Sequence, residues 1–240
     1  MLSSRLVTLI LPCYNEAEHI QKSLPRIIAY MKKFFYNDFS LIIIDDKSTD
    51  QTPQLVKQII KKQKNITFLM HAHNRGRGAT VTEGIRMSSS TIVGYIDIDL
   101  EVSPKYIPSF THLIMENRAD IVVAKRYYTV DFSFQNILRT LLSKGYAMMV
   151  RRLLHLPIHD TEAGYKFFKR QKILRVLSAV RDPHWFWDTE LVARAYQSRL
   201  RIVELPVQFI RNVKKTSTVK PFHDSLRYII AILQFRRREK

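Results

Sequence analysis

The 240-residue chain contains a single cysteine, Cys13. One cysteine excludes an intramolecular disulfide and any cysteine-rich zinc site, and it fits a reducing compartment. Long apolar runs are missing too. Nothing approaches the roughly 20 residues that span a bilayer, and Tyr228 to Leu233 is far too short. Leu9 to Cys13 is too brief, and lacks the basic lead-in, for a signal peptide. No internal repeat, low-complexity stretch or long linker interrupts the chain. Acidic residues are scarce beside basic ones, 21 against 39, for a net charge of +18. That imbalance predicts an anionic partner: nucleic acid, an anionic membrane or phosphorylated substrates. Hydrophobic content of 46% is normal for a folded core, and the length suits one α/β domain plus an appendage.

Several standard motifs are absent as well. Asn74-Arg75-Gly76-Arg77-Gly78-Ala79 lacks the Lys-Ser/Thr of a Walker loop, and G-x-G-x-x-G fails at Val81. Its glycines and two guanidiniums still suit an anion-binding turn at a helix start, with Arg75 and Gly76 as candidate phosphate contacts. Asp46, Ser48 and Asp50 have the spacing of an EF-hand, but Gln51 stands where Gly is required and Lys57 where Glu is required. His71 and His73 lack Cys or carboxylate partners at ligand spacing, which reads against zinc.

What is present is acidic and sits at strand ends. Asp97-Ile98-Asp99 closes the apolar run Thr91 to Ile98. Two carboxylates this close disfavour joint ionisation. A divalent Mg²⁺ or Mn²⁺ removes that cost, binding carboxylates together with substrate phosphates. A second cluster, Asp45 to Asp50, follows the run Leu41 to Ile44. Ligand-bearing loops in open α/β sheets lie at the carboxyl ends of strands, so the two clusters point to one cleft.

Apolar runs and helix signals alternate along the first half. Strands are expected at Leu6 to Leu11, Leu41 to Asp45, Ile66 to Met70, Thr91 to Asp97 and Ile121 to Ala124. Asn15 to Glu18 reads as a capping box with Asn15 as N-cap, opening a helix through Phe34. Thr52-Pro53 reads as N-cap and first helical residue, opening a helix to Lys62. Further helices are expected at Ala79 to Ser88 and from Ser103-Pro104 to about Asn117. Alternation of this kind implies a mostly parallel sheet flanked by helices, and the length is short for a TIM barrel. Two later segments, 132–157 and 218–240, are apolar and basic together. Basic amphipathic helices lie on membrane surfaces, and packing on the sheet is the competing reading.

Taken in order, these residues resemble a family 2 glycosyltransferase with the Rossmann-like GT-A fold, in the branch that transfers sugars to polyprenyl phosphates. Pro12-Cys13-Tyr14-Asn15-Glu16 is similar to that family's P-x-Y-N-E. Asp45 to Asp50 is similar to D-D-G-S-x-D, with Lys47 in place of Gly. Asn74 to Gly78 resembles N-x-G-K-G, and Asp97 to Leu100 resembles D-A-D-L. Lys125-Arg126 falls where the family has G-S-R. Asp160 to Lys166 resembles D-T-Q-C-G-F-K, and Trp185 to Leu191 resembles W-x-F-D-x-E-L. Glu204-x-Pro206 and Arg211 to Ser217 are similar to E-x-P followed by R-x-x-G-x-S, without its Gly. The domain so implied covers 1–217, with 218–240 as a C-terminal basic amphipathic helix.

The resemblance implies roles. Pro12, Tyr14 and Glu16 line a nucleotide pocket, and Asp46 contacts the base or ribose. Asp97 and Asp99 hold Mg²⁺ or Mn²⁺ on the diphosphate, with Glu101 as a third contact. Arg126 and Arg211 bind an acceptor phosphate, and Ser217 joins the substrate contacts. Asp188 falls where wider family 2 enzymes carry a general base. A phosphate monoester is already ionised near pH 7, so Asp188 and Asp160 are expected either to act as bases or to orient arginines and sugar hydroxyls. The expected reaction is inverting, metal-dependent transfer from a nucleotide sugar to a polyprenyl or dolichyl phosphate. UDP-hexose is favoured over GDP-mannose. Such an enzyme would sit peripherally on the cytoplasmic face of a membrane, and a membrane partner subunit or a homo-oligomer stays open. Transfer to a glycan hydroxyl competes with this reading. Nucleic-acid binding competes through charge alone and lacks any binding-module signature.

Overall fold

The computed structural model describes residues 5–128, 145, 148–210 and 221–238. The expected contacts Arg211 and Ser217, and most of the 132–157 segment, lie outside these residues. The order is β1 (Val7–Cys13), α1 (Ala17–Phe35), β2 (Phe39–Asp45), α2 (Thr52–Ile60), β3 (Ile66–Met70), α3 (Arg77–Met87) and β4 (Ile92–Ile96). A 3₁₀ turn (Pro104–Tyr106), α4 (Ile107–Met115) and β5 (Ile121–Tyr128) follow. After α5 (148–154) come β6 (Tyr165–Lys169), α6 (Arg170–Leu177), α7 (Trp187–Gln197), β7 (Ile202–Phe209) and α8 (Pro221–Arg238).

Seven strands form one sheet in the order β3-β2-β1-β4-β6-β5-β7. Strands β1 to β4 are mutually parallel, as the alternation predicts, and β5 runs parallel to β7. Among the described strands only β6 is antiparallel to its neighbours, β4 and β5. Successive side chains of a strand point to opposite faces, and both faces are covered here. Val7, Leu9 and Leu11 of β1 join Leu41, Ile43, Val122 and Phe167 under α1 and α4. Ile10, Ile42, Val93, Tyr95 and Phe168 take the other face, under α3, α6 and α7. Each fully buried aliphatic or aromatic side chain contributes about 1.5–3 kcal/mol, so the two layers fix the strand register that aligns the cleft. A third cluster, Val150, Leu156, Phe186, Ala193, Ile232 and Phe235, seats α5 and α8 against α7.

Helix α3 starts two residues before the expected Ala79, α4 starts at Ile107 after a 3₁₀ turn at Pro104, and the starts of α1 and α2 differ through their caps. Helix α1 begins at Ala17, and Asn15 is in the left-handed region at φ 55°. The Asn15 side chain is drawn away to accept from the Thr49 amide at 2.8 Å. The helix is capped across the cleft instead: Asp50 Oδ2 accepts from Ala17 N at 3.0 Å and Thr52 Oγ1 accepts from Glu16 N at 2.8 Å. With Thr52 so used, α2 includes Thr52 and follows Gln51. Lys47, which stands where the D-D-G-S-x-D pattern has Gly, has φ 67°, a left-handed conformation that glycine adopts at less steric cost.

Candidate active site

The carboxyl ends of β1, β2 and β4 open onto one cleft, which brings the acidic turns together. Their carboxylates do different work. Asp45 closes its own turn, accepting from the Ser48 amide at 2.9 Å and hydroxyl at 2.5 Å. Asp46 is buried, and its Oδ1 accepts from Arg75 N at 2.8 Å while Oδ2 accepts from Gly76 N at 2.8 Å. His71 Nδ1 lies 2.6 Å from the same Oδ1, and its Nε2 lies 3.2 Å from Glu83. Glu83 in turn pairs with the Arg75 guanidinium. Asp46 therefore pins the 74–76 turn that launches α3, and His71, without a motif role, braces it. Gly76 is required there, because at φ 93° a Cβ would overlap His184 and the Pro183 carbonyl.

Asp97, just past β4, meets Arg77, the first residue of α3. Its Oδ1 accepts from Arg77 Nε at 3.1 Å and from Nη2 at 2.7 Å. The remaining arm, Nη1, pairs with Asp188 Oδ2. Gly164 packs so closely on Asp97 Oδ2 that a Cβ would overlap the carboxylate. Asp188 is 2% exposed. Besides Arg77 it receives Lys166 Nζ at 2.6 Å and the Tyr95 hydroxyl, both on Oδ1. Burial pushes the Asp188 carboxyl up, but Lys166 and Arg77 outweigh it and hold the group below the usual carboxylate range. Asp97 is raised, chiefly by desolvation in the cleft, with Arg77 opposing and Asp99 adding to the rise. Its side chain is still 43% exposed, so this desolvation belongs to the cleft wall and not to the core.

Asp160 precedes β6 and holds Arg126 of β5 in a two-pronged pair: Nε to Oδ2 at 2.7 Å and Nη2 to Oδ1 at 2.9 Å. Burial would raise Asp160, and Arg126 overrides it, so its carboxyl titrates low. The segment is anchored by Glu204 of β7, whose Oε1 accepts from the His159 and Asp160 amides, each at 2.9 Å. Between Asp160 and Lys166 lies Glu162. Burial lifts its carboxyl to about 7; Arg126 opposes the rise, and Asp160 and Asp188 add to it.

The structure thus brings Asp97 together with Asp188 through Arg77, pairs Asp160 with Arg126, and joins Asp46 to Arg75 and Gly76. Pro12 lies in β1, and Tyr14 and Glu16 follow its end at the cleft; Tyr14 is 47% exposed. Asp97, Asp99 and Glu101 do not converge as three ligands. Asp97 Oδ1 faces Arg77 and Asp99 Oδ1 accepts from the Glu101 amide at 3.3 Å. Among the described residues no group of three or more His, Cys, Asp or Glu side chains is arranged to hold a metal. Lys166 closes the Asp160–Lys166 motif but carried no assigned role, and Tyr95 is an addition that no motif singled out. Tyr95 could have been found from strand alternation, since it shares a strand face with Asp97 two residues on.

The model of glycosyl transferase family 2 matches residues 8–177. The chain belongs to this family. A dolichyl-phosphate beta-glucosyltransferase of Dictyostelium discoideum is 30% identical to this family 2 chain over 242 residues, covering 96% of the chain and 73% of the relative. Glycosyltransferase AglD of Haloferax volcanii is 26% identical over 204 residues, covering 85% of the chain. The chain spans only 33% of AglD, and 66% of a 25%-identical dolichyl-phosphate beta-glucosyltransferase of Saccharomyces cerevisiae. Two solved structures share the GT-A fold. Glucosyl-3-phosphoglycerate synthase from Mycobacterium tuberculosis, in complex with Mn²⁺, UDP and glucosyl-3-phosphoglycerate, superposes with a TM-score of 0.70 at 18% identity, covering 98% of this chain and 80% of that one. Mannosyltransferase PcManGT from Pyrobaculum calidifontis, in complex with GDP-Man and Mn²⁺, gives 0.66 at 21% identity, covering 98% and 65%.

Proposed function

We propose that this family 2 glycosyltransferase moves a hexose from a nucleotide sugar, UDP-hexose in preference to GDP-mannose, onto a polyprenyl or dolichyl phosphate with inversion at the anomeric carbon. The observation that carries the proposal is the state of Asp188. The carboxylate at the general-base position of wider family 2 enzymes already takes three donors and titrates low. A strong acid's conjugate base is a poor proton acceptor. A phosphate acceptor needs none, because its oxygen is ionised before it arrives. What it needs is positioning, and Arg126, oriented by Asp160, supplies charge-assisted donors for it. The names of the relatives from D. discoideum and S. cerevisiae support the same acceptor class.

Asp97 and Asp99 would hold a hard divalent ion as a pair of carboxylates, Asp99 lying near enough for its charge to raise the Asp97 carboxyl. Oxygen donors of this kind suit Mg²⁺ or Mn²⁺ held jointly with substrate phosphates. Bound there, the ion would stabilise charge developing on the departing nucleoside diphosphate. Asp46 keeps the 74–76 backbone turned toward the donor side, while Asp188 fixes Arg77 beside Asp97.

The acceptor implies a membrane surface, and peripheral attachment is proposed, on the cytoplasmic face. Among the described residues no helix is long and apolar enough to cross a membrane. Helix α8 buries Ile232 and Phe235 against α7 but leaves Ile230 and Leu233 45% and 47% exposed, one turn apart, beside exposed Arg237. That stripe suits an anionic lipid surface.

A second reading, transfer to a glycan hydroxyl, draws on Glu162, whose raised carboxyl is a better base than Asp188. The test is a panel of UDP- and GDP-sugars offered with polyprenyl phosphate, with and without Mn²⁺, and the lipid product identified by mass. A glycosylated lipid phosphate that forms only with metal is expected. Product on glycan hydroxyls alone would favour the second reading.

A further inference from the structure

Arg77 is placed with little freedom. Ala79 N donates to Pro183 O at 3.0 Å, and a Cβ on Gly78 would overlap Trp187, so the start of α3 is pressed against the segment leading into α7. The guanidinium then lies 5.3 Å from the Tyr95 ring centre and 5.9 Å from that of Trp185. Its planar fork divides between two carboxylates: Nε and Nη2 on Asp97 Oδ1, Nη1 on Asp188 Oδ2. Only 14% of the side chain is exposed, so the cation has few other partners to turn to.

Asp97 is also the leading carboxylate of the D-x-D turn. A divalent ion on Asp97 Oδ1 must share or displace two N–H donors and approach a fixed positive charge. We propose that Arg77 is a latch that competes with the divalent ion for Asp97, keeping metal affinity low until a nucleoside diphosphate arrives. The inference rests on the metal–diphosphate reading of the cleft and deepens it. The latch can open cheaply because Asp188 keeps its hold on Nη1, so release from Asp97 does not strand a buried cation. The incoming diphosphate adds the negative charge that makes room for both cations. Arg77 acts here as a positioning residue, through Asp97.

The design depends on one side chain reaching two carboxylates, which a lysine ammonium does not reproduce. Arg77→Lys keeps the charge, and Asp188 keeps Lys166, so folding is preserved. The measurement is Mn²⁺ binding by the electron paramagnetic resonance of the free ion, on the full chain, with and without UDP or GDP. The latch predicts that Arg77→Lys binds Mn²⁺ alone about tenfold more tightly than wild type, the scale of a lost charge-assisted contact. It also predicts that the diphosphate tightens Mn²⁺ binding much less in the variant than in wild type. If Arg77→Lys matches wild type within twofold while Arg77→Gln alone gains affinity, charge and not the bridge is at work, and the latch is overturned. If Asp97→Asn binds Mn²⁺ as wild type does, the ion is elsewhere, and both the reading of the cleft and the latch fall.

Discussion

Lys166 Nζ lies 2.6 Å from Asp188 Oδ1, with both side chains almost wholly buried. The lysine sits in the one antiparallel strand, β6, and the aspartate in the first turn of α7, so their pairing ties the middle of the sheet to the helix above it. Lys166 also donates to the Ala163 carbonyl at 2.6 Å, which shapes the segment carrying Asp160 and Gly164.

Removing Asp188 leaves the buried Lys166 ammonium without its carboxylate, and removing Lys166 leaves Asp188 with Arg77 as its remaining cation. Asp188→Asn should therefore cost about 3 kcal/mol or more of stability. Lys166→Met should cost less than that but clearly more than a surface change, because Arg77 still compensates Asp188. Urea midpoints at neutral pH measure both. Losses under about 0.5 kcal/mol, the level of a surface substitution, would mean that the pair is not a buried structural link.

Arg126→Ala should act on the acceptor and spare the donor. A lost charge-assisted pair costs about 1.5–3 kcal/mol, or roughly ten- to a hundredfold in kcat/KM for the lipid phosphate. Nucleotide affinity, read by titration with UDP, should stay near wild type. A parallel loss of UDP binding would move Arg126 from the acceptor side to the donor side.

Glu162 sets a pH signature. Its folded carboxyl sits at about 7 because of burial, against an unfolded value of about 4.3. Between those pH values the native state holds a proton that the unfolded chain has released. Stability from this group therefore falls as pH rises through that window and is flat above it. Glu162→Gln removes the slope. The melting temperature of the variant relative to wild type should climb from pH 5 to pH 7.5. A pH-independent difference would contradict the raised carboxyl.

Helix α8 should carry salt-sensitive binding to anionic liposomes. Each Lys or Arg near such a surface contributes about 1 kcal/mol, screened over a Debye length of about 8–10 Å. Ile230→Asp with Leu233→Asp changes only exposed positions, so the fold should persist while sedimentation with liposomes weakens severalfold. Equal sedimentation of variant and wild type would place the membrane contact elsewhere.

Much of the fold was legible because β1, β2 and β4 are buried on both faces and read as unbroken apolar runs. Strands β6 and β7 were not. Tyr165 to Lys169 carries a fully buried lysine at its second position, tolerable because Asp188 pairs with it. Ile202 to Phe209 is an edge strand interrupted by Glu204, Pro206 and Gln208. In the site, the acidic residues and Arg126, Arg77 and Lys166 all fell within matched motifs, but which of them pair with which did not show. Arg77 and Asp188 are 111 positions apart, and no local spacing reports such a contact. The same gap hid the capping of α1, where Asp50 supplies from the next turn what Asn15 was expected to supply from its own.

The most direct measurement offers polyprenyl phosphate and the free polyprenol side by side, with a UDP-hexose and Mn²⁺, and reads the anomeric configuration of the product by NMR. A saturated Asp188 and a clamped Arg126 predict efficient transfer to the phosphate, inversion at the anomeric carbon and negligible use of the alcohol. Equal use of the alcohol, or retention of configuration, would contradict them.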